Sequence, residues 1–230
     1  ISGVLEVILN IEDKRDAFLL IQYLYFLIFF FGLVTFYHLC QVRFENWKIS
    51  LLGVLFLLLS PRILANSFYD PKDIPFLSLL IFSVYFGLSF FKKINLKNAI
   101  IFSIFSGLVI SGIRIYGLIS PILIYSAIFI YQFYINKLNS KKLLIIIFSI
   151  FLTIIFTIIF KPYLWQNSIA NFYNTIKYIG EFGEYWNIPN LFLGEIVYAK
   201  DVPWFYSPFW IIITTPIFYP SGKPHMGHAY

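Results

Sequence analysis

The chain has 230 residues, of which 60% are hydrophobic and only 12% are charged, with a formal net charge of +6. A soluble domain of average composition carries about 25% charged residues, and a chain with a mean hydropathy of +0.80 could not cover its apolar side chains in water. These values exclude a disordered chain, a disulfide-bonded scaffold and an ordinary cytosolic enzyme, and they indicate a protein whose solvent is lipid.

Apolar stretches recur along the chain at the length of membrane-spanning helices, which need about 20 mostly apolar residues. Six spans are predicted, followed by a truncated seventh: 17–39, 50–64, 74–91, 99–113, 118–134, 143–160 and the incomplete 209–218. No strand-like alternation competes with them, so the predicted class is an all-α membrane protein. The first position holds Ile1 rather than methionine, which predicts a fragment that lacks its true start.

The positive charges between the predicted spans indicate an orientation. One set of connections is rich in basic residues: Arg43, Lys48, Lys92, Lys93, Lys97, Lys137, Lys141 and Lys142. The alternate connections, around Arg62, Lys72 and Arg114, carry fewer positive charges mixed with acids. The first set is therefore expected in the cytoplasm, and residues 61–73 and 161–206 outside. Because the basic residues lie in short clusters between apolar runs, no nucleic-acid partner is expected for residues 1–213.

The segment 161–206 is too polar to span a membrane and is rich in tyrosine and tryptophan. Ile169, Phe172, Tyr173 and Ile176 recur at helical spacing, which predicts a short amphipathic helix near residues 168–179 on the membrane surface. The aromatic residues allow two interpretations. They could anchor an external loop at the membrane boundary, or they could line a sugar or lipid site.

The densest group of charged side chains lies in residues 60–75. One interpretation is a solvated loop whose long side chains reach water. However, Asp73 directly precedes an apolar helix, where the helix dipole favours an acid and a carboxylate could bind a cation or an acceptor hydroxyl. Arg62 offers a planar fork and Lys72 a point charge, both suited to phosphate.

Residues 60–76 read SPRILANSFYDPKDIPF and resemble the second external loop of multi-spanning glycosyltransferases of the GT-C type. These are family-39 enzymes such as protein mannosyltransferases, together with aminoarabinose transferases. Three further blocks resemble blocks that bacterial members show in the same order: KPYLW at 161–165, GEIVY at 194–198 and DVPWFYSPFWIIITTP at 201–216. The resemblance covers residues 1–216.

The resemblance implies an inverting sugar transfer at an external active site. The donor would be a polyprenyl-phosphate sugar, and the acceptor a glycan, a lipid or a protein. It also implies an integral protein of the bacterial inner membrane whose active side is periplasmic, in contact with membrane lipids.

Asp73 matches the second acid of that family, which is associated with metal or substrate contacts. Arg62, Lys72 and Arg114 are phosphate-binding candidates by their chemistry. The family's catalytic base lies in the first external loop, ahead of the segment that residues 11–18 resemble. The resemblance thus implies that this fragment lacks its own general base, and it leaves a divalent cation open as a cofactor.

The last residues, 214–230, read TTPIFYPSGKPHMGHAY and resemble the opening of methionyl-tRNA synthetase. His225 and His228 match the histidines that contact the ATP phosphates in that family. A metal pair is the alternative, but no third ligand is near them in the sequence. Because the Thr-Thr-Pro stretch belongs to both resemblances, the chain is predicted to join two sequences there. Residues 1–213 form the glycosyltransferase-like part and residues 214–230 a tail, by natural fusion or by sequence assembly.

Other classes remain open. Six spans would also fit a transporter or channel subunit, or a membrane scaffold without enzymatic activity. Transporters usually show internal repeats and ionisable residues near the bilayer midplane, whereas the charges here lie at span ends. A methionine–tRNA ligase would require a nucleotide-binding domain that residues 1–213 cannot supply.

Overall fold

The computed structural model describes residues 13–112, 115–135, 139–180, 189–206 and 209. The chain divides into two units, Ile1–Ile169 and Ala170–Tyr230. The first unit is a bundle of helices: α1 Lys14–Phe44, α2 Trp47–Leu58, α3 Pro61–Asn66, α4 Asp73–Lys92, α5 Leu96–Ser111, α6 Ile119–Tyr134 and α7 Ser140–Phe160. Single 3-10 turns precede α6 and follow α7, at Ile115–Leu118 and Pro162–Leu164.

Four of the described helices are long and apolar enough to cross a membrane: α1, α4, α7 and the combined helix Tyr116–Tyr134 that contains α6. The helices α2 and α5 are also apolar but have only 12 and 16 residues. The prediction of a helical protein is confirmed, and these four helices have the length and composition of membrane spans. Four of the described helices are long enough to span a membrane. The predicted number of six spans therefore requires that the shorter helices α2 and α5 also cross it.

The predicted span 50–64 is divided into two helices. Helix α2 ends at Leu58, and α3 begins at Pro61 after Ser60, whose backbone is extended (φ −62°, ψ 113°). Proline has no amide hydrogen and pushes the preceding residue out of the helical region, yet it is well tolerated as the first residue of a helix. The prediction of one continuous span across Pro61 was therefore wrong.

Pairwise contacts show which helix ends lie together. Helices α1 and α4 run parallel, because the Phe26 ring stacks on Phe68 just ahead of α4, with centroids 4.9 Å apart. Further along, Gly32 lies against Ser78. Helix α2 runs antiparallel to α1, where Ser50 Oγ donates a hydrogen bond to Gln41 Oε1 at 3.0 Å.

The remaining helices continue the alternation. Helix α5 is antiparallel to α4, as the ring pairs Phe86–Phe105 and Phe90–Phe102 show. Helix α6 is parallel to α4, with Ser83 bonded to Ser120 and Gly87 against Ile124. Helix α7 is parallel to α5, with Ser103 bonded to Ser149 and Gly107 against Phe156. The loop before α4, the start of α6 and the end of α7 therefore lie at one end of the bundle.

The core between α5, α6 and α7 contains a buried hydrogen-bond network. Ser103 Oγ donates to the Ser149 carbonyl at 2.8 Å, and the Tyr125 hydroxyl lies 2.8 Å from Ser149 Oγ and 2.9 Å from Thr153 Oγ1. Such bonds, together with small residues that let backbones approach, hold helices together where lipid removes the hydrophobic driving force.

The second unit contains an amphipathic helix and a hairpin. Helix α8, Ser168–Gly180, confirms the helix predicted near residues 168–179. Strands β1 (Pro189–Phe192) and β2 (Glu195–Tyr198) pair antiparallel and precede a 3-10 turn at Ala199–Asp201. The all-α class is confirmed for the described chain as a whole, and these eight residues are a short exception to it, because a four-residue strand is too short to give a clear alternating pattern.

Candidate functional site

Apolar side chains fix the loop between α2 and α4 against the bundle. Ile74, the second residue of α4, is 4% exposed and packs in a cluster with Phe29 and Leu33 of α1. Ile63 of α3 packs against the same cluster. With the Phe26–Phe68 stack, these contacts hold both ends of the loop against the bundle.

Asp70 shapes the start of α4. Its Oδ1 accepts hydrogen bonds from the backbone amides of Lys72 at 2.8 Å and Asp73 at 3.0 Å. Lys72 is the N-cap residue of α4 and Asp73 its first helical residue, and backbone donors at a helix start have no partner within the helix. Asp70 therefore serves as a capping side chain for α4, a role that the sequence analysis did not assign to it.

The three charged candidates of this loop are all exposed. Arg62 lies on α3, and Lys72 and Asp73 lie at the junction with α4. Within the described residues, the side chains of Arg62 and Lys72 have no hydrogen-bond or ion-pair partner. Asp73 is the only acid in the first turn of α4, where the helix dipole favours a carboxylate. The structure thus brings two free cations and one acid onto a single short segment.

Lys161 is a further basic residue at this end of the bundle that the sequence analysis did not select. It is half-buried directly after α7, whose last residues lie at the same end as the start of α4. Burial lowers the pKa of the Lys161 ammonium from its ordinary value, because desolvation disfavours the charged form. An anion bound nearby would act in the opposite direction and raise this pKa. The sequence feature that could have pointed to Lys161 as a site residue is its position as a single lysine between an apolar run and Pro162.

The two faces of the hairpin differ, since one packs against aromatic rings and the other is exposed and aliphatic. The Phe192 ring is 5% exposed and lies under Phe205, Tyr206 and Phe209, with centroids 6.0, 4.9 and 5.3 Å away. On the opposite face of the hairpin, Leu191 and Ile196 form a cross-strand pair whose side chains are exposed. An exposed apolar pair suits contact with lipid, as an anchoring loop requires.

Helix α8 has the apolar face that was predicted. Ile169 is 89% exposed, and Tyr173 and Ile176 are also exposed, while Phe172 is half-buried. This arrangement is typical of a helix that lies in the membrane interface. Contact of these side chains with lipid stays a prediction.

The other predicted site residues lie outside the described residues. These are Arg114, the histidines His225 and His228 of the tail, and the truncated seventh span apart from Phe209. In the described part of the chain, no group of three His, Cys, Asp or Glu residues is placed to hold a metal ion.

The described part of the chain is a helical protein with four helices that are long and apolar enough to cross a membrane, and a polar loop lies at one end of its bundle. Comparisons with protein-family models, with curated proteins and with solved structures find no match for this chain.

Proposed function

We propose that this chain is part of an integral-membrane glycosyltransferase that moves a sugar from a polyprenyl-phosphate donor to an external acceptor. In this proposal Arg62 and Lys72 bind the donor phosphate, and Asp73 contacts the sugar, the acceptor hydroxyl or a divalent cation. Lys161 is an additional cation at the same end of the bundle, and Arg114 stays a phosphate-binding candidate from the sequence. The proposal rests on the sequence resemblance of residues 1–216 and on one structural observation.

That observation is the combination of apolar anchoring and unpaired cationic side chains in the loop before α4. Ile74, Ile63 and Phe68 hold the loop against α1, whereas the cationic side chains of Arg62 and Lys72 have no partner among the described residues. A loop that served only as a connection would not need both features. A phosphate at the end of a long lipid chain is a suitable ligand, because the loop lies where apolar helices meet the polar boundary.

The proposal includes an orientation and a span count. The end of the bundle that carries Arg62, Lys72 and Asp73 faces the periplasm, and the end that carries Arg43, Lys92 and Lys142 faces the cytoplasm. Helices α2 and α5 complete six spans despite their length, because a short hydrophobic helix can be accommodated by local thinning of the bilayer. The alternating direction of the helices is compatible with this topology.

The buried polar groups favour an enzyme over an ion-coupled transporter. Within the described residues, the buried polar side chains are serines, threonines and Gln132. Proton and ion relays instead use carboxylates, histidines or basic side chains inside the membrane. Hydroxyl groups that bond between helices stabilise the bundle without providing such a pathway.

Donor binding tests the proposal. The chain is reconstituted in nanodiscs of a neutral phospholipid, and binding of a polyprenyl-phosphate sugar is measured by displacement of a fluorescent polyprenyl phosphate. We expect the double substitution Arg62→Gln and Lys72→Gln to weaken binding about tenfold or more, because two charge-assisted contacts to the phosphate are lost.

The matched control is Lys48→Gln with Lys97→Gln, which removes the same charge at the other end of the bundle. It should leave donor affinity unchanged. Equal affinities for the wild type and the Arg62/Lys72 variant would refute the assignment of the phosphate site.

A further inference from the structure

A groove with a volume of about 470 Å³ lies between α1 and α4, at the end of the bundle opposite the Asp73 loop. Its walls are apolar side chains from the two helices: Leu39 and Val42 of α1, and Val84, Leu88 and Phe91 of α4. The volume falls within the range of about 300–1,000 Å³ that is typical of small-molecule sites. Val42 and Leu88 are exposed, so the groove opens on the outer surface of the helix pair.

Two cations complete the lining, Arg43 of α1 and Lys92 of α4. Both side chains are exposed, and within the described residues neither has a hydrogen-bond or ion-pair partner. The acid closest to Arg43 in sequence, Glu45, does not line the groove. The groove therefore has apolar walls and two positive charges at one end.

The helix dipole alone does not account for this pairing. Each cation lies in the last turn of its helix, where positive charge is favoured. That effect would be the same on any side of the helix. Here the cations of two different helices border the same groove, and the residues between them are apolar.

We infer that this groove binds an anionic glycerophospholipid. One acyl chain lies along Leu39, Val84 and Leu88, and the headgroup phosphate lies between Arg43 and Lys92. Two cations without a lining acid disfavour a headgroup that carries its own amine, and they complement one with net negative charge. The predicted orientation places this end of the bundle in the cytoplasmic leaflet, where anionic lipids attract basic segments near the surface.

The test compares lipid retention by native mass spectrometry. The purified chain is equilibrated in mixed micelles that contain equal amounts of phosphatidylglycerol and phosphatidylcholine. The wild type should retain phosphatidylglycerol preferentially. The double variant Arg43→Gln and Lys92→Gln should lose about 25- to 30-fold in this preference, since one cation near an anionic lipid surface contributes a factor of about five.

A second variant tests the apolar part of the site. Leu88→Trp keeps both cations but fills the groove with a larger side chain, and it should also lower phosphatidylglycerol retention. Lys48→Gln with Lys97→Gln removes two charges that do not line the groove and should leave the preference intact. Circular dichroism checks that each variant keeps its helical content.

Several outcomes would overturn the inference. An equal loss of preference in the Arg43/Lys92 variant and in the control would show general surface attraction. Displacement of the lipid by inorganic phosphate alone would show a free-anion site, and retention of both lipids in equal amounts would show no headgroup selection. A dimer of the chain without retained lipid would show that a second copy occupies the groove.

Discussion

Replacement of Asp73 by asparagine is expected to lower sugar transfer by about 10²–10³-fold while leaving membrane insertion intact. Asp73 is exposed in the first turn of α4, and asparagine keeps its shape but removes its charge. Loss of one catalytic contact typically costs a factor of that size, whereas a merely solvated charge contributes little. Transfer from a polyprenyl-phosphate sugar is measured in membranes that contain an enzyme with this loop and with the first external loop that the resemblance implies.

Asp70→Asn is the control for this measurement, and the structure makes it a well-matched one. Asp70 caps α4 through Oδ1, and an asparagine side chain presents an equivalent oxygen. The control therefore removes a charge from the same loop without removing the cap. Wild-type activity in Asp73→Asn would contradict the role of Asp73, and an equal loss in both variants would indicate a general charge effect of the loop.

A large loss of stability is expected for Gly107→Ala. A Cβ at this position would lie 2.5 Å from Phe156 Cβ and 3.0 Å from the backbone carbonyl carbon of Phe156 and the Thr157 nitrogen. Since two of these are backbone atoms of α7, the whole helix must move. Overpacking of this kind costs about 1–3 kcal/mol, and it would also strain the Ser103–Ser149 hydrogen bonds one turn away. The free energy of unfolding is measured by SDS titration in mixed micelles.

Gly53→Ala provides the comparison. Its Cβ would meet the Cys40 sulfur at 3.3 Å and the Phe36 ring at 3.9 Å, both of them side-chain atoms that can shift. The added methyl group also gains about 1 kcal/mol of helix propensity at either position. We expect stability close to that of the wild type. A stability loss in Gly53→Ala as large as in Gly107→Ala would mean that the tight α5–α7 contact is not what determines the effect.

The ends of a helix could be predicted where charged residues flank an apolar run. Residues 74–91 were predicted and α4 is Asp73–Lys92, because Asp73 and Lys92 both end the run and stabilise the helix termini. Helix α8 was also predicted, since its apolar residues recur with the helical period. Pro61 marks the break in the sequence. However, a composition averaged over a window of residues does not detect the loss of one backbone N–H donor.

Partners across the bundle could not be predicted from one sequence. The residues Ser149, Thr153 and Thr157 recur every four positions, which indicates one face of α7, but only the fold shows that Ser103 and Tyr125 meet that face. The hairpin depends on a turn in which Leu193 and Gly194 have φ values of 53° and 90°. Leucine is uncommon in that region, so the turn is only weakly marked by its residue types.

For the candidate site, the sequence showed which charges share a loop, but not their surroundings. Arg62, Lys72 and Asp73 were selected from their chemistry and from the resemblance. The capping role of Asp70 and the half-burial of Lys161 depend on distances and packing that no local pattern contains. The basic residues Arg43 and Lys92 indicated orientation in the sequence, and only the packing of α1 on α4 brings them to one groove.

The orientation of the bundle underlies both the external sugar-transfer site and the lipid groove, and thiol labelling in intact cells tests it directly. Single cysteines are introduced as Tyr69→Cys, in the loop before α4, and Ser140→Cys, at the start of α7, in a Cys40→Ser background; Tyr69 and Ser140 are both exposed. A membrane-impermeant maleimide should label Tyr69→Cys in intact cells and Ser140→Cys only after the membrane is disrupted. Labelling of Ser140→Cys but not of Tyr69→Cys in intact cells would contradict the account.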